Sequence, residues 1–263
     1  MDDSGAFPAA FDDASPPSAR ASEAAVDPVA ERVRRLTRRY GGLETRALLS
    51  ALIRDEFPGR IALVSSFGTE AAVLLHLVAT VAPRTPVIFL DTGKLFGETL
   101  RYRDALVARL GLTDVRSVRP DERDLAAGDP EGVLWSEDPD RCCFLRKVLP
   151  LRRALAGFDA WINGRKAYHG GLRTGLPLIE AADGRVKVNP LAGWSRAEIG
   201  AHFARHGLPH HPLEADGFTS IGCLPCSSRA QPREGLRAGR WRGLGKTECG
   251  IHLDWGPVAG RGA

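Results

Sequence analysis

No stretch of this 263-residue chain approaches the roughly 20 consecutive apolar residues that a bilayer-crossing helix needs, so no membrane partner is expected. The opening Met1-Asp2-Asp3-Ser4 lacks the basic and then apolar order of a secretory leader, and a cytoplasmic location follows as the expectation. No internal repeat is found, which argues against solenoids and propellers. The G-x-x-x-x-G-K-[ST] phosphate loop is missing too, which removes the usual nucleoside triphosphatase reading. The net charge is only +4, giving little long-range pull on nucleic acid, and none is expected as a partner. What remains is a chain with 43% apolar residues, enough for one sizeable core with appendages.

Cysteine is scarce, and its placement is informative. The five are the adjacent pair Cys142-Cys143, the Cys223-Leu224-Pro225-Cys226 couple, and Cys249 near the end. In a reducing compartment an odd set of thiols argues for metal binding and catalysis rather than bridges. A C-x-x-C turn delivers two thiolates from one loop, and the adjacent pair supplies two more. The side chains of adjacent cysteines diverge, so they suit a cluster that spreads its binding points over several irons better than a single tetrahedral zinc. Cys249, with Lys246 and His252 close in sequence, reads as a thiol kept partly as thiolate, a nucleophile; an inert tail cysteine is the plain alternative. Basic residues gather near these motifs, at Arg141, Arg146, Lys147, Arg152 and Arg153, and again from Arg229 to Lys246. They read either as an anion site or as a solvated face.

The pattern along the chain predicts an α/β fold, a parallel twisted sheet with helices on both faces. Residues 1–25 are rich in Ala, Ser, Pro and Asp without periodicity and are expected to be disordered. Residues 26–216 form the α/β nucleotide-binding domain, and 217–263 a cluster loop followed by a loop-rich, mobile catalytic tail. Asp27-Pro28 is a helix start, with Val29, Val33, Leu36 and Tyr40 on one face, and a second helix covers residues 44–54. Short apolar runs at 61–65, 87–91, 115–118 and 160–163 read as buried strands, separated by helices at about 70–81, 98–110 and 142–155. Ser195 and Glu198 form a capping box, with Trp194 and Ile199 as its staple, for a helix ending near Gly207.

Two segments fall where a strand ends and a helix begins, the edge at which open parallel sheets bind ligands. Ser65-Ser66-Phe67-Gly68-Thr69-Glu70 offers backbone amides suited to an anion, although an ordinary turn uses the same residue types. Leu90-Asp91-Thr92-Gly93 is the second, where Asp91 either contacts a nucleotide or caps the next helix.

Taken in order, Ser66-Phe67-Gly68 with Glu70, Leu90-Asp91-Thr92-Gly93 with Glu98-Thr99, Cys142-Cys143-x-x-Arg146-Lys147, Thr219-Ser220-Ile221-Gly222-Cys223-x-Pro225-Cys226, Arg237-x-Gly239-Arg240-Trp241 and Glu248-Cys249-Gly250-Ile251-His252 resemble the assimilatory sulfonucleotide reductases. The resemblance is to the iron-sulfur adenylyl-sulfate reductase branch of the phosphoadenylyl-sulfate reductase family. It implies an adenine nucleotide alpha hydrolase-like fold and a 4Fe-4S cluster on Cys142, Cys143, Cys223 and Cys226. It also implies thioredoxin or a glutaredoxin-like protein as reductant, and Cys249 as the residue that takes the sulfonyl group as an S-sulfocysteine. Adenosine is expected near Ser65, Ser66, Phe67, Gly68 and Asp91, with phosphate and sulfate facing Lys147, Arg165, Lys166, Arg237 and Arg240. A homo-oligomer is expected. Members with the cysteine quartet mostly use adenylyl sulfate and those without it the 3′-phosphorylated form, which stands as the alternative substrate. The chain departs from the family at Ala71, where an acidic residue often stands, and at Lys166 and Ala167, where the family has arginines; a lysine cannot reproduce a bidentate guanidinium. Two other readings remain: a tRNA-thiolating ATP pyrophosphatase, whose Ser-Gly-Gly-x-Asp-Ser loop is absent at 65–70, and a zinc-stapled nucleic-acid binding module.

Overall fold

In the computed structural model, which describes residues 27–253 and Trp255, the short apolar runs become the strands of a single sheet. These are β1 (Ile61–Ser65), β2 (Val87–Leu90), β3 (Val115–Val118), β4 (Ala160–Ile162), β5 (Ile179–Ala182) and β6 (Arg185–Val188), arranged in the order β3-β2-β1-β4-β6-β5. All neighbours are parallel except the β5–β6 pair at one edge. Strand alternation divides the apolar side chains between two cores. Ile61, Leu63, Val87, Phe89, Ala160 and Ile162 face the larger core, while Ala62, Val64, Ile88, Leu90 and Trp161 face the smaller one.

Nine α-helices flank the sheet among the described residues: α1 (Pro28–Tyr40), α2 (Thr45–Ser50), α3 (Ala71–Val81), α4 (Gly97–Leu110), α5 (Glu122–Gly128), α6 (Leu134–Glu137), α7 (Pro139–Cys143), α8 (Leu149–Ala154) and α9 (Arg196–His206). Leu36, Leu48, Leu75, Leu106 and Phe203 bring α1, α2, α3, α4 and α9 to the larger core; Leu151 brings α8 to the smaller. Helices therefore cover both faces, as the pattern predicts. α1 begins as expected, with the Asp27 carboxylate accepting from the Val29 amide at 2.9 Å and Pro28 in the first turn. The α9 capping box is present in both directions, and the helix closes on Gly207 in the left-handed region at φ 54°.

Three expectations are modified. The helix expected over 142–155 is split into α7, a wide π-turn segment at Phe144–Val148, and α8. Pro150 explains this: it has no N–H to give to the carbonyl four residues back, and its ring crowds that carbonyl, so a wider turn just upstream relieves both problems. The helix expected over 44–54 likewise becomes α2 followed by a π segment at Ala51–Glu56. The β5–β6 hairpin is an addition. Its turn, Asp183-Gly184, has both residues at positive φ, 50° and 68°, the requirement of the tight turn that Asp-Gly signals. The expected disordered segment lies outside the described residues.

The tail from Gly217 onward is loop-rich, as expected, and its described part packs against the C-terminal edge of the sheet. Bridges Leu95↔Cys223 and Ser227↔Arg240 pin its first half, and Trp241 is buried beneath it. Its second half is clasped by a buried ion pair: the Arg173 guanidinium donates to both Glu248 oxygens at 2.7 and 2.8 Å. Gly250 then passes so close to the cysteine pair that a Cβ there would lie 2.9 Å from that of Cys143.

The clasp sets a pH limit on tail closure. Burial alone would raise the Glu248 carboxyl, but Arg173, with Arg237 and the Cys249 amide, holds it down to about 2, against an ordinary 4.5. A depressed carboxyl stabilises the fold fully above its unfolded pKa, and that contribution is lost as pH falls from about 4.5 toward 2. Glu248→Gln leaves Arg173 buried without its countercharge, a loss of about 3–5 kcal/mol. Trypsin cleavage at Lys246 is expected to accelerate in this variant at neutral pH, and amide exchange through residues 246–252 to lose its acid dependence below pH 4.5; unchanged protection would show that the clasp does not hold the tail.

Candidate active site

The strand order turns at β1: β2 and β3 lie to one side and β4 to the other, which opens a crevice between the C-terminal ends of β1 and β4. One pocket occupies it. Ser65, Ser66 and Gly68 arrive from the loop after β1, Asn163, Gly164, Arg165 and Lys166 from the loop after β4, and Ser220, Gly222, Arg237, Arg240 and Cys249 from the tail. Lys147, from the π segment, completes the wall beside Cys249.

Two expected contact residues stand outside this wall. Phe67 is fully buried, edge-to-face on Phe89 with ring centroids 5.4 Å apart, and sits in the left-handed region at φ 47°. Such a φ is strained for a bulky residue, so the ring serves as a plug that holds the loop's curvature. The Asp91 carboxylate receives the Gly93 amide at 3.2 Å and the Arg119 guanidinium at 2.9 Å. It therefore braces the turn after β2 and does not cap the next helix, which starts at Gly97 behind Phe96 with no side-chain cap bond.

Cys249 is half-buried, and its Sγ lies 3.9 Å from Lys147 Nζ. With Cys143 as a free thiol, a hydrogen bond from it holds the Cys249 thiol well below its ordinary range; burial opposes this, and Lys147, the Ile251 amide and Arg240 reinforce it, and these last three persist when Cys143 binds metal and has no proton to give. Cys143 shifts the opposite way, upward, for the same contact. Burial would push the Lys147 ammonium down, but the surrounding thiols of Cys223, Cys249 and Cys143 outweigh it and raise its pKa. Arg240 reaches the wall by lying over the Trp241 ring at 4.3 Å and donating from Nε to the Cys226 carbonyl at 3.1 Å. Its guanidinium crosses Gly222 within 2.3–2.9 Å of where a Cβ would stand, so no larger residue fits there with Arg240 in place.

Six cationic side chains line the pocket against two carboxylates, Glu70 and Glu248. The cations fall into two groups. Lys166 pairs with Glu70 at 2.7 Å, Arg165 with Glu180, and Arg173 and Arg237 with Glu248. Lys147 and Arg240 have no carboxylate partner among the described residues. An anion entering the pocket therefore meets its least compensated positive charge beside Cys249. His252 also lines the pocket, its ring stacked on Trp161 with planes 4° apart. Burial, with Lys187, Arg165, Arg173 and Arg237 nearby, holds its pKa well below the ordinary value, so it is a neutral imidazole.

Cys142, Cys143, Cys223 and Cys226 are free, buried thiols behind Lys147. Burial raises the Cys142 thiol to about 11, with Cys223 and Cys226 adding to the effect and Arg146 opposing it. Buried neighbouring thiols of this kind gain from a positive centre that takes up their charge. The donor set fits an iron-sulfur cluster, with Arg146 and Lys147 nearby to offset thiolate charge.

Sequence reading missed Arg173 and His169 as pocket residues and Glu70 as the anchor of Lys166. His169 Nε2 is 3.1 Å from Glu70, and Tyr168 donates to Glu70 at 2.5 Å. Arg173 lies 75 residues from Glu248, in a glycine-rich loop with no periodicity, so no local signal could pair them.

With this geometry in place, likeness to known proteins becomes informative. A profile for the phosphoadenosine phosphosulfate reductase domain matches residues 60–229. Adenosine 5'-phosphosulfate reductase of Mesorhizobium japonicum is 48% identical over 227 residues, covering 86% of this chain and 89% of the relative. Phosphoadenosine 5'-phosphosulfate reductase of Gloeobacter violaceus is 37% identical, covering 82% and 92% respectively. The crystal structure of phosphoadenylyl-sulfate reductase from Candida auris in complex with phosphate superposes with a TM-score of 0.63 at 25% identity, over 76% of this chain and 97% of that one. FMN adenylyltransferase of Candida glabrata, at a TM-score of 0.50 and 15% identity over 84% of each chain, shares the fold alone. The expected adenine nucleotide alpha hydrolase-like fold is thereby borne out, and the chain belongs to the phosphoadenosine phosphosulfate reductase family.

Proposed function

We propose that this protein reduces adenylyl sulfate to sulfite and AMP, with Cys249 as the nucleophile and thioredoxin or a glutaredoxin-like protein as the reductant. The observation that carries this reading is the position of Cys249. Its thiol stands at the wall of the crevice at the ends of β1 and β4, beside Lys147 and Arg240, the two pocket cations without a carboxylate partner among the described residues.

In the proposed sequence the nucleotide lies across the ends of β1 and β4, with its ribose and base toward Ser65, Ser66 and Gly68. Its phosphate and sulfonyl oxygens face Lys147, Lys166, Arg237 and Arg240. The Cys249 thiolate attacks the sulfur; an S–S bond forms, and the sulfur–oxygen bond to the phosphate breaks. AMP leaves with that electron pair, and the cations stabilise the charge on its phosphate. A thiolate of the reductant then attacks Cys249 Sγ, and sulfite departs with the electron pair of the S–S bond. The reductant's second thiol resolves the resulting mixed disulfide, which regenerates Cys249 and leaves the reductant oxidised. The dithiol thus provides both electrons. A 4Fe-4S cluster held by Cys142, Cys143, Cys223 and Cys226 would supply a fixed charged body behind Lys147. His252, neutral and stacked on Trp161, helps to shape the pocket floor next to Cys249.

The direct test measures sulfite release from adenylyl sulfate and from its 3′-phosphorylated form, each with reduced thioredoxin. Faster turnover of adenylyl sulfate is expected; preference for the 3′-phosphorylated nucleotide would reassign the substrate, and release from neither would defeat the reading. Protein incubated with substrate alone is expected to gain one SO3 adduct at Cys249 by mass spectrometry. Cys249→Ser should bring sulfite release below detection while keeping iron content and nucleotide affinity; full turnover by that variant would remove Cys249 from the chemistry. Cys226→Ala is expected to lose iron and acid-labile sulfide, and a variant retaining both would show that the quartet is misassigned.

A further inference from the structure

Away from the pocket, α3 and α9 bring three imidazoles together. His76 lies on α3, and His202 and His206 lie one turn apart on α9, so the latter two project from the same helix face. His76 Nδ1 and His202 Nε2 are 3.0 Å apart, and the ligand nitrogens of all three lie within 4.8 Å of one another. The rings are packed closely, with His76 and His206 centroids 4.3 Å apart and those of His202 and His206 4.4 Å apart. None of the three lines the substrate pocket.

The geometry points to a binding site for a divalent transition cation of the zinc class, held by His76, His202 and His206 and separate from the cysteine quartet. Zinc binds histidine nitrogen at about 2.0–2.1 Å, which places two nitrogens of a tetrahedral site about 3.3 Å apart. The His76–His202 pair stands a few tenths of an ångström from that spacing. His206 is exposed and needs only a side-chain adjustment to close a three-nitrogen face, leaving the fourth position to solvent. The all-nitrogen donor set favours zinc, copper, nickel or cobalt over calcium or magnesium, which seek oxygen. Arg46 and Arg205 are charged neighbours of the triad and disfavour a cation there, so the site depends on three bonds to metal rather than on field attraction. A bound ion would cross-link α3 to α9. Trp194, edge-on to His202 at 5.6 Å, forms part of the wall behind the triad.

The test uses cluster-loaded protein, stripped of loosely held metal with EDTA and titrated with zinc alone. One zinc per chain is expected to be retained through gel filtration, with a rise in melting temperature. His206→Ala removes a solvent-exposed ligand and is expected to weaken zinc binding at least about tenfold in competition with a chromophoric chelator. It should abolish the zinc-dependent rise in melting temperature while leaving sulfite release and the zinc-free melting temperature unchanged. His76→Gln provides a second variant with the same expected loss of zinc. Equal zinc retention by wild type and both variants would place the ion elsewhere, on a thiol for instance, and overturn the site. Failure of the wild type to retain zinc would do the same.

Discussion

Like-charge repulsion inside one crevice is the constraint around which this molecule is built. Six cations face the pocket, several of them more than nine-tenths buried, where water screens them poorly. A folded chain cannot hold that arrangement unless most of the charge is offset internally, and Glu70, Glu180 and Glu248 perform that task. The cost appears in the titration of a pocket cation, Arg237, and of Lys187, which lies outside the pocket but pairs with Glu180. Burial, aided by Arg165, pulls Lys187 down to about 8, and burial, aided by Arg173, pulls Arg237 down to about 10. Lys147 moves the other way because the thiols of Cys223, Cys249 and Cys143 outweigh both its burial and the neighbouring Arg240 guanidinium.

This arrangement links the tail's fold to the site's chemistry. Glu248 is the countercharge for Arg173 and Arg237, and its Oε1 also receives the amide of Cys249 at 2.8 Å. One carboxylate thus closes the tail and fixes the backbone of Cys249. Gly250, with no side chain to obstruct the approach to Cys143, lets the same segment descend on the cysteine pair. On the other side, the π turn before Pro150 lies between the cysteine pair and α8 and carries both Arg146 and Lys147. Arg146 is locked to Asp129 at 2.6 Å and to the Thr92 carbonyl at 3.1 Å, which leaves Lys147 as the cation of that turn that faces the pocket.

Much of this was legible in the chain. β1, β2 and β4 are continuous apolar runs because both faces of a parallel sheet are covered, and α1 and α9 carry explicit caps. β5 and β6 were not assigned, because Glu180 and Lys187 interrupt their apolar pattern; they face each other across the hairpin as a 3.3 Å ion pair, an arrangement that only the folded register reveals. Among the residues expected at the site, Cys249, Lys147, Arg237 and Arg240 carry a local signature, and one pocket brings them together. Arg173 escaped because its partner is remote in sequence. Phe67 and Asp91 were placed in the pocket because they share a loop with residues that do line it. A motif records which loop matters, whereas the direction of each side chain depends on packing, here the Phe89 ring and the Arg119 guanidinium.

For the proposed reaction, the division of cations into paired and unpaired sets would let one pocket serve both binding and catalysis. A cation already held by a carboxylate keeps a fixed position and offers a weakened field, which suits orienting a neutral base, a ribose or the distant part of a phosphate. A cation without such a partner responds more strongly to charge that develops nearby, because no neighbouring carboxylate offsets its field. Lys147 and Arg240 are of the second kind, and they flank the sulfur of Cys249 rather than the loop after β1. Binding alone would be served by uniform positive charge throughout the crevice. In the proposed reaction, concentrating the cations that lack a carboxylate partner at the sulfur end would favour the state in which charge builds up on the leaving phosphate, which is the condition for rate acceleration rather than mere affinity.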